Sequence, residues 1–330
     1  MLQINNTTPF AAEIATFPNE QGIDSLYVIV KASFIMGQQL SLADEQIPPQ
    51  MGDEYWAEPG LSSIKHLSDF HIGKSNTDII MQGNACAPHH QAVKQLDVHL
   101  SVGKVQKTVR VFGDRVWQGD QPSLPVAFQS MPLVYERAFG GQHQVDATNL
   151  LTEERNTVGC GFVGKRNKQE MQGLALPNIE DPNQLIQSIK DNPMPAGFGP
   201  CNNNWLPRRQ WAGTYDEQWQ TTRAPYLPED FNKRFLNAAH PDLVYPGYLQ
   251  GGEPIMIKNM HPAGDISLKV PQIKMACHAK LSNKRFPLKL NIETLTLEPN
   301  KQLLSMVWLA PFECDKNLLK VNEIEIKLSR

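Results

Sequence analysis

Thirteen of the 25 prolines fall between Pro177 and Pro271, under a third of the chain. Each proline removes a backbone donor and fixes φ, so this stretch builds neither sheet ladders nor long helices and must run mostly as irregular chain. Yet the same stretch carries Trp205, Trp211 and Trp219, with Tyr215, Phe231, Phe235 and Tyr245 nearby. Disordered linkers are poor in such residues. The pattern predicts long, ordered loops wrapped over a β core and pinned by aromatic anchors. Two short helices are expected inside it. One opens at Asp181-Pro182, with Leu185, Ile186 and Ile189 on one face. The other spans 229–239, with Phe231 and Phe235 four apart.

On either side of this zone the pattern is that of strands. Tyr27, Val28, Ile29, Val30 and Phe34 mark one between Leu26 and Met36. Leu96, Val98, Leu100 and Val102 alternate with polar residues, Gly103-Lys104 offers a turn, and Thr108 to Phe112 reads as the returning strand of a hairpin. Near the other end, Leu288 to Leu297 frames one strand, Leu303 to Leu309 a second, and Val321 to Leu328 a third, with a turn at Glu298-Pro299-Asn300. The expectation is a mainly β fold (all-β or α+β). It has a β-sandwich-like core closed by N- and C-terminal strands and a few short helices. All of 1–330 is read as one domain, with 137–271 as a loop-rich insertion; β architectures run past ~200 residues as one unit.

Charge excludes several classes of partner. The net charge is −3, from 31 basic and 34 acidic side chains, with no long run of either sign. That is no footprint for nucleic acid, whose phosphates need a basic face, and no polybasic membrane patch. Leu26 to Val30 is far shorter than the ~20 apolar residues a spanning helix needs. The start, MLQINNTTPF, lacks the charged and apolar regions of a signal peptide, so a cytoplasmic location is expected. Cys86, Cys160, Cys201, Cys277 and Cys314 are odd in number and scattered, so free thiols are expected.

Short motifs of catalysis fail on context. Residues 159–164 match GxGxxG, but the flanks supply neither the preceding strand nor the amphipathic helix that a dinucleotide site requires, and a loop is predicted. Gly73-Lys74-Ser75 resembles the end of a phosphate-binding loop, but Ser68 stands where its first glycine belongs. His66, Asp69 and His71 cluster, as do Cys86, His89 and His90, without the paired spacing of a zinc site. Cys277-His278 adjacency carries nothing, because catalytic pairs meet in space. No catalytic residue, metal ligand or cofactor is therefore assigned.

The richest segment is Trp205 to Trp219. Its Trp, Tyr and Arg are the types that dominate protein–protein hot spots. They are also the types that plug cores and hold proline-rich loops. Both readings stand. Trp205, Arg208, Arg209, Trp211, Tyr215 and Trp219 are the candidate partner-contact residues.

An ordered series of segments makes the chain recognisable along nearly its whole length. It begins with Ser68-Asp69, Lys74, Thr77-Asp78, Gly83 and Ala85, then Gly113-Asp114-Arg115-Val116-Trp117. Next come Met131-Pro132-Leu133, Tyr135-Glu136-Arg137-Ala138-Phe139-Gly140-Gly141 and Leu176-Pro177-Asn178-Ile179-Glu180. Pro207-Arg208, Gly213-Thr214-Tyr215-Asp216 with Trp219, and Leu227-Pro228-Glu229-Asp230-Phe231 complete it. In these the chain resembles a family encoded beside the spike and toxin genes of bacterial type VI secretion clusters. It departs from the family at Asn156-Thr157, where Asn-Pro is usual before Gly159, and at Trp308-Leu309, where arginine commonly follows the tryptophan.

The resemblance implies an adaptor or chaperone, not an enzyme. It would bind a toxin effector and load it onto a valine-glycine-repeat (VgrG-type) spike. Two alternatives come from other classes. One is a cytoplasmic hydrolase or transferase with a loop-assembled active site around Asp69, His71 and Asp114. The other is an immunity protein that inhibits the toxin.

Overall fold

The computed structural model describes residues 2–329 and is mainly β. The strand expected at Leu26 to Met36 runs from Asp24 to Met36 and is an inner strand of a seven-stranded sheet, next to one edge. Leu303–Glu313 pairs with it on one side and Ala11–Pro18 on the other, with Leu40–Leu42 continuing that second edge. Beyond Leu303–Glu313 come Asn291–Glu298, then Thr77–Met81, then the short Val244–Tyr245. The two ends of the sequence therefore share one ladder. Thr77–Met81 beside Asn291–Glu298 is the parallel pair in an otherwise antiparallel sheet.

Register sorts the side chains. Val28, Val30, Ala32 and Phe34 stand opposite Ala310, Trp308, Met306 and Leu304. All eight lie in the main core. That core also takes the buried faces of two further sheets. One is built on the expected hairpin, Gln95–Val102 with Val105–Phe112, extended by Pro254–Lys258, Ile266–Lys269 and Ile179–Glu180. The other joins Gln3–Asn6, Val321–Leu328, Met275–Leu281 and Lys284–Leu288. The stretch read as one strand from Leu288 to Leu297 is thus two, and they belong to different sheets. Pro254–Lys258 and Ile266–Lys269 lie inside the zone read as loop and complete the hairpin's sheet.

The alternate residues of the central strands are apolar too. Tyr27, Ile29, Val307 and Leu309 face away from the main core and are covered by Phe70, Ile72, Leu227, Phe231 and Leu236. A strand buried on both faces reads as a continuous apolar run, which is how Leu26 to Val30 reads. Much of its cover on this side comes from the proline-rich zone. Neither helix expected there forms as predicted. The Asp181 segment is held as loop because Glu180 accepts Ile186 N–H and Asp191 accepts Gln187 and Ser188 N–H, drawing those donors out of any helical ladder. The 229–239 segment condenses to a single 3-10 turn, Lys233–Leu236, although Phe231 and Phe235 do meet edge to face. The α-helices that form are Lys168–Met171 and Glu217–Thr222, capped by Asn167 and Asp216.

Irregular chain laid on a sheet must satisfy its own backbone. Buried polar side chains do so. Asp78, with no exposed surface, pairs with Lys74 at 2.9 Å and accepts Asn237 Nδ2 and Ala238 N–H, both at 2.9 Å. Asp69 pairs with Lys31 at 2.8 Å and accepts Gln50 N–H. Glu136 takes Ser63 N–H, and Arg115 binds Glu180 and the Pro177 carbonyl. Glycines serve the same packing. A Cβ on Gly159 would lie 2.5 Å from Ala138 O, and one on Gly141 2.5 Å from Gly159 O, so 140–141 and 159–161 pass too closely for any side chain. The GxGxxG match is thus a backbone crossing, with Cys160–Gly161 paired to Phe139–Gly140.

Removing one partner of a buried ion pair strands the other. Lys74→Met is expected to cost ~3–5 kcal/mol in urea unfolding on that ground, and Trp205→Ala ~3–5 kcal/mol through cavity formation. Unfolding midpoints unchanged by either substitution would show that these residues do not pin the loops.

Candidate functional site

Trp205 to Trp219 begins inside the protein and ends on its surface. Trp205 has no exposed area; its ring meets Tyr135 edge to face at 5.2 Å, and its Nε1 donates to Thr157 Oγ1 at 3.0 Å. Arg208 is 9% exposed. Its Nε donates to Phe235 O at 2.7 Å and its Nη1 to Cys201 O at 2.8 Å, with the guanidinium over the Phe235 ring. These two candidates are framework: Trp205 offers no surface to a partner, and most of Arg208 is committed to two loops.

The other four reach solvent. Arg209 is exposed and pairs with Glu154 at 3.0 Å. Trp211 is half-buried, with Arg234 5.9 Å from its ring centre. Tyr215 is 54% exposed and sits edge to face on Trp219 at 4.8 Å. The Trp219 indole donates to Tyr226 O at 2.8 Å, and its backbone N–H is capped by Asp216. Asp230 holds the preceding turn through Thr214 N–H and hydroxyl. An exposed aromatic platform is thereby fixed at its base.

At Trp211 lies a cleft of about 460 Å³. Pro207, Trp211 and Pro241 form apolar wall, and Arg208 and Arg234 bring positive charge. No carboxylate lines it. Ser75, Asn76 and Asn237 also line it, and Asn237 is the side chain that binds Asp78 and the Asn76 carbonyl. The cleft is therefore built directly on the buried Lys74–Asp78 pair. The sequence reading missed Arg234 and Asn237. Both lie in the segment expected to be a helix, where the Phe231–Phe235 spacing is the visible signal and the polar residues around it carry none.

The trio Asp69, His71 and Asp114 does not assemble. Asp69 is held by Lys31 and Gln50, His71 lies against Glu293, and Asp114 is exposed near Arg137 at 3.6 Å. A second cavity, about 340 Å³, takes in Asp69 and His66, but its cations are matched: Lys31 with Asp69, Lys65 with Glu54 and Lys301 with Glu298. The five thiols are free. Burial pushes Cys160 up to about 11 and Cys277 up to about 12, which disfavours a nucleophilic thiolate at either. Lys74, the P-loop-like lysine, is spent on Asp78 and Thr294. Among the described residues no helix is long and apolar enough to cross a membrane.

A family model described as "Uncharacterized protein conserved in bacteria (DUF2169)" matches residues 21–309. No curated protein and no solved structure matches the chain.

Outside these cavities His240 Nδ1 lies 3.4 Å from Asp242 Oδ2, and the more deeply buried approach is His71 Nδ1 to Glu293 Oε2, at 3.6 Å. Gly73 N–H donates to Nδ1, so the imidazole carries its proton on Nε2, and burial holds its pKa well below the usual value. Burial pushes Glu293 up to about 8 against the pull of Lys74. Folded Glu293 thus keeps its proton to about pH 8, whereas an unfolded carboxyl releases it near ~4.3. Between those values the unfolded state binds fewer protons, so this group lowers stability as pH rises. Glu293→Gln is expected to flatten the stability profile between pH 5 and 8 and to raise the urea midpoint at pH 8. Parallel profiles for the two proteins would refute the assignment.

Proposed function

The chain belongs to this bacterial family, matched over residues 21–309, and from that premise we propose that it is a type VI effector adaptor. In this reading it binds a toxin effector in the cytoplasm and helps load it onto a valine-glycine-repeat (VgrG-type) spike. The observation that carries the reading is the aromatic and arginine-bearing face at Arg209 to Trp219. It is solvent-facing and braced from below by Asp230, Asp216 and the Arg208 brackets. A rigid scaffold that spends loops on a surface of exposed Tyr and Arg with half-buried Trp suits recognition of another chain. Fixed side chains lose less entropy on binding.

The segments that carry the family resemblance support this in a specific way. Asp69, Lys74, Asp78, Arg115, Glu136, Glu180 and Arg208 each hold loop or sheet backbone, or one another, in buried or half-buried pairs. Each thereby holds the scaffold that carries the surface.

Tagged protein expressed with the products of its neighbouring genes is expected to retain one effector through affinity purification. Its deletion is expected to abolish export of that effector while leaving sister cells protected from it. Loss of protection instead would establish the immunity reading. Absence of any complex would remove the adaptor reading.

A further inference from the structure

Among the described residues, four Lys and Arg side chains belong to residues buried to nine-tenths or more: Lys74, Lys107, Arg115 and Arg208. Three have a carboxylate partner within 3 Å: Asp78, Asp242 and Glu180 respectively. Arg208 has none. Its Nε and Nη1 are taken by backbone carbonyls, which satisfy hydrogen bonds but bring no counter-charge. Burying an uncompensated cation is costly, so such a group is normally paired. Asp78, the acid with the largest influence on Arg208, is already committed to Lys74, Asn237 and Ala238. The remaining nitrogen, Nη2, has no hydrogen-bond partner among the described residues, and it is not among the fully buried unpartnered atoms. Arg208 itself lines the cleft.

The second cation of the cleft is unpaired as well. Arg234 is exposed, lies over Trp211 and has no acidic partner among the described residues. The polar cavity that takes in Asp69 and His66 is different, because each lysine there has its own acid. An unpaired buried guanidinium, a second one at the rim and an apolar wall of Pro207, Trp211 and Pro241 define complementary chemistry. From this geometry we infer that the cleft is a receptor for an acidic side chain carried on an extended peptide next to an apolar residue. The carboxylate completes the ion pair that Arg208 lacks, with charge-assisted hydrogen bonds from Arg208 and Arg234. The neighbouring apolar side chain packs on the Trp211 wall. A volume of about 460 Å³ accommodates a short stretch of chain, not a folded surface.

The inference rests on the adaptor reading for the ligand being a peptide. The test selects from a random library of amidated heptapeptides on the immobilised full-length protein. Selected sequences are expected to carry Asp or Glu within two positions of an apolar or aromatic residue. Replacing that acid by its amide is expected to weaken binding at least tenfold, and raising the salt to weaken it further. Arg208→Gln also breaks two loop brackets, so the decisive variants are Arg234→Glu and Trp211→Ala, with folding checked by urea midpoint. Arg234→Glu is expected to lose the acidic selection and Trp211→Ala to lose the apolar preference. Selection of neutral or basic sequences, equal affinity for acid and amide, or no selection at all would overturn the inference. An effector that still binds both variants at full strength would remove the cleft assignment and leave the adaptor reading standing. Failure of any effector to co-purify, with acidic selection intact, would do the reverse.

Discussion

Tyr27, Ile29, Val307 and Leu309 put apolar surface on the side of the central sheet that faces away from the main core, and burying such side chains is worth roughly 1.5–3 kcal/mol each. The apolar residues that cover them, Phe70, Ile72, Leu227, Phe231 and Leu236, all lie outside strands. The cover is chain rich in proline and poor in ladders, which brings Leu227, Phe231 and Leu236 down onto the strands. Such chain cannot satisfy its own amides, so the apolar gain is usable only where buried polar side chains take over that task. Asp78, Asp69, Glu180, Asn156 and Asn202 do so, each reaching from one segment to the backbone of another.

The candidate cleft inherits its rigidity from this arrangement. Asp78 stands on the parallel strand Thr77–Met81, binds Lys74 from the preceding turn, and holds Asn237 and Ala238 of the covering loop. Asn76 and Asn237 line the cleft above it. One carboxylate thus sets the spacing between sheet, loop and cleft floor. Arg208 does the same from the other wall by binding carbonyls on either side, at Cys201 and Phe235. A site mounted on such fixtures is held in shape before any ligand arrives, which lowers the cost of binding.

What could be read from the residues divides along physical lines. Strands with a period or a continuous apolar run were legible: Asp24–Met36, the hairpin 95–112 and the terminal strand Val321–Leu328 fall where alternation and β-branched residues put them. The proline zone was legible as ordered loop because its tryptophans had to be anchors, and Trp205 is one. The Asp181 helix was not legible as loop, because its apolar spacing is helical while the deciding groups, the Glu180 and Asp191 carboxylates, act through backbone donors that periodicity ignores. Of the candidate contact residues, Arg209, Trp211, Tyr215 and Trp219 reach the surface, Trp205 does not, and Arg208 shows only a small part of itself at the cleft. Composition treats all six alike; only the third dimension tells an anchor from a contact.

Arg208 shows why that distinction is not absolute. As an anchor it resembles Arg115, which also holds a backbone carbonyl and stacks on a phenylalanine ring. The difference is the missing acid. Arg115 is neutralised by Glu180 within its own fold; Arg208 keeps its charge uncompensated at the wall of a cleft that contains no carboxylate. A core that needed only a bracket between Cys201 and Phe235 could have used a neutral donor, such as an asparagine side chain, and avoided burying charge. Retaining a guanidinium there costs stability in the free protein, and that cost is offset once an anion is bound. The same side chain can therefore fix the loops and define what they recognise.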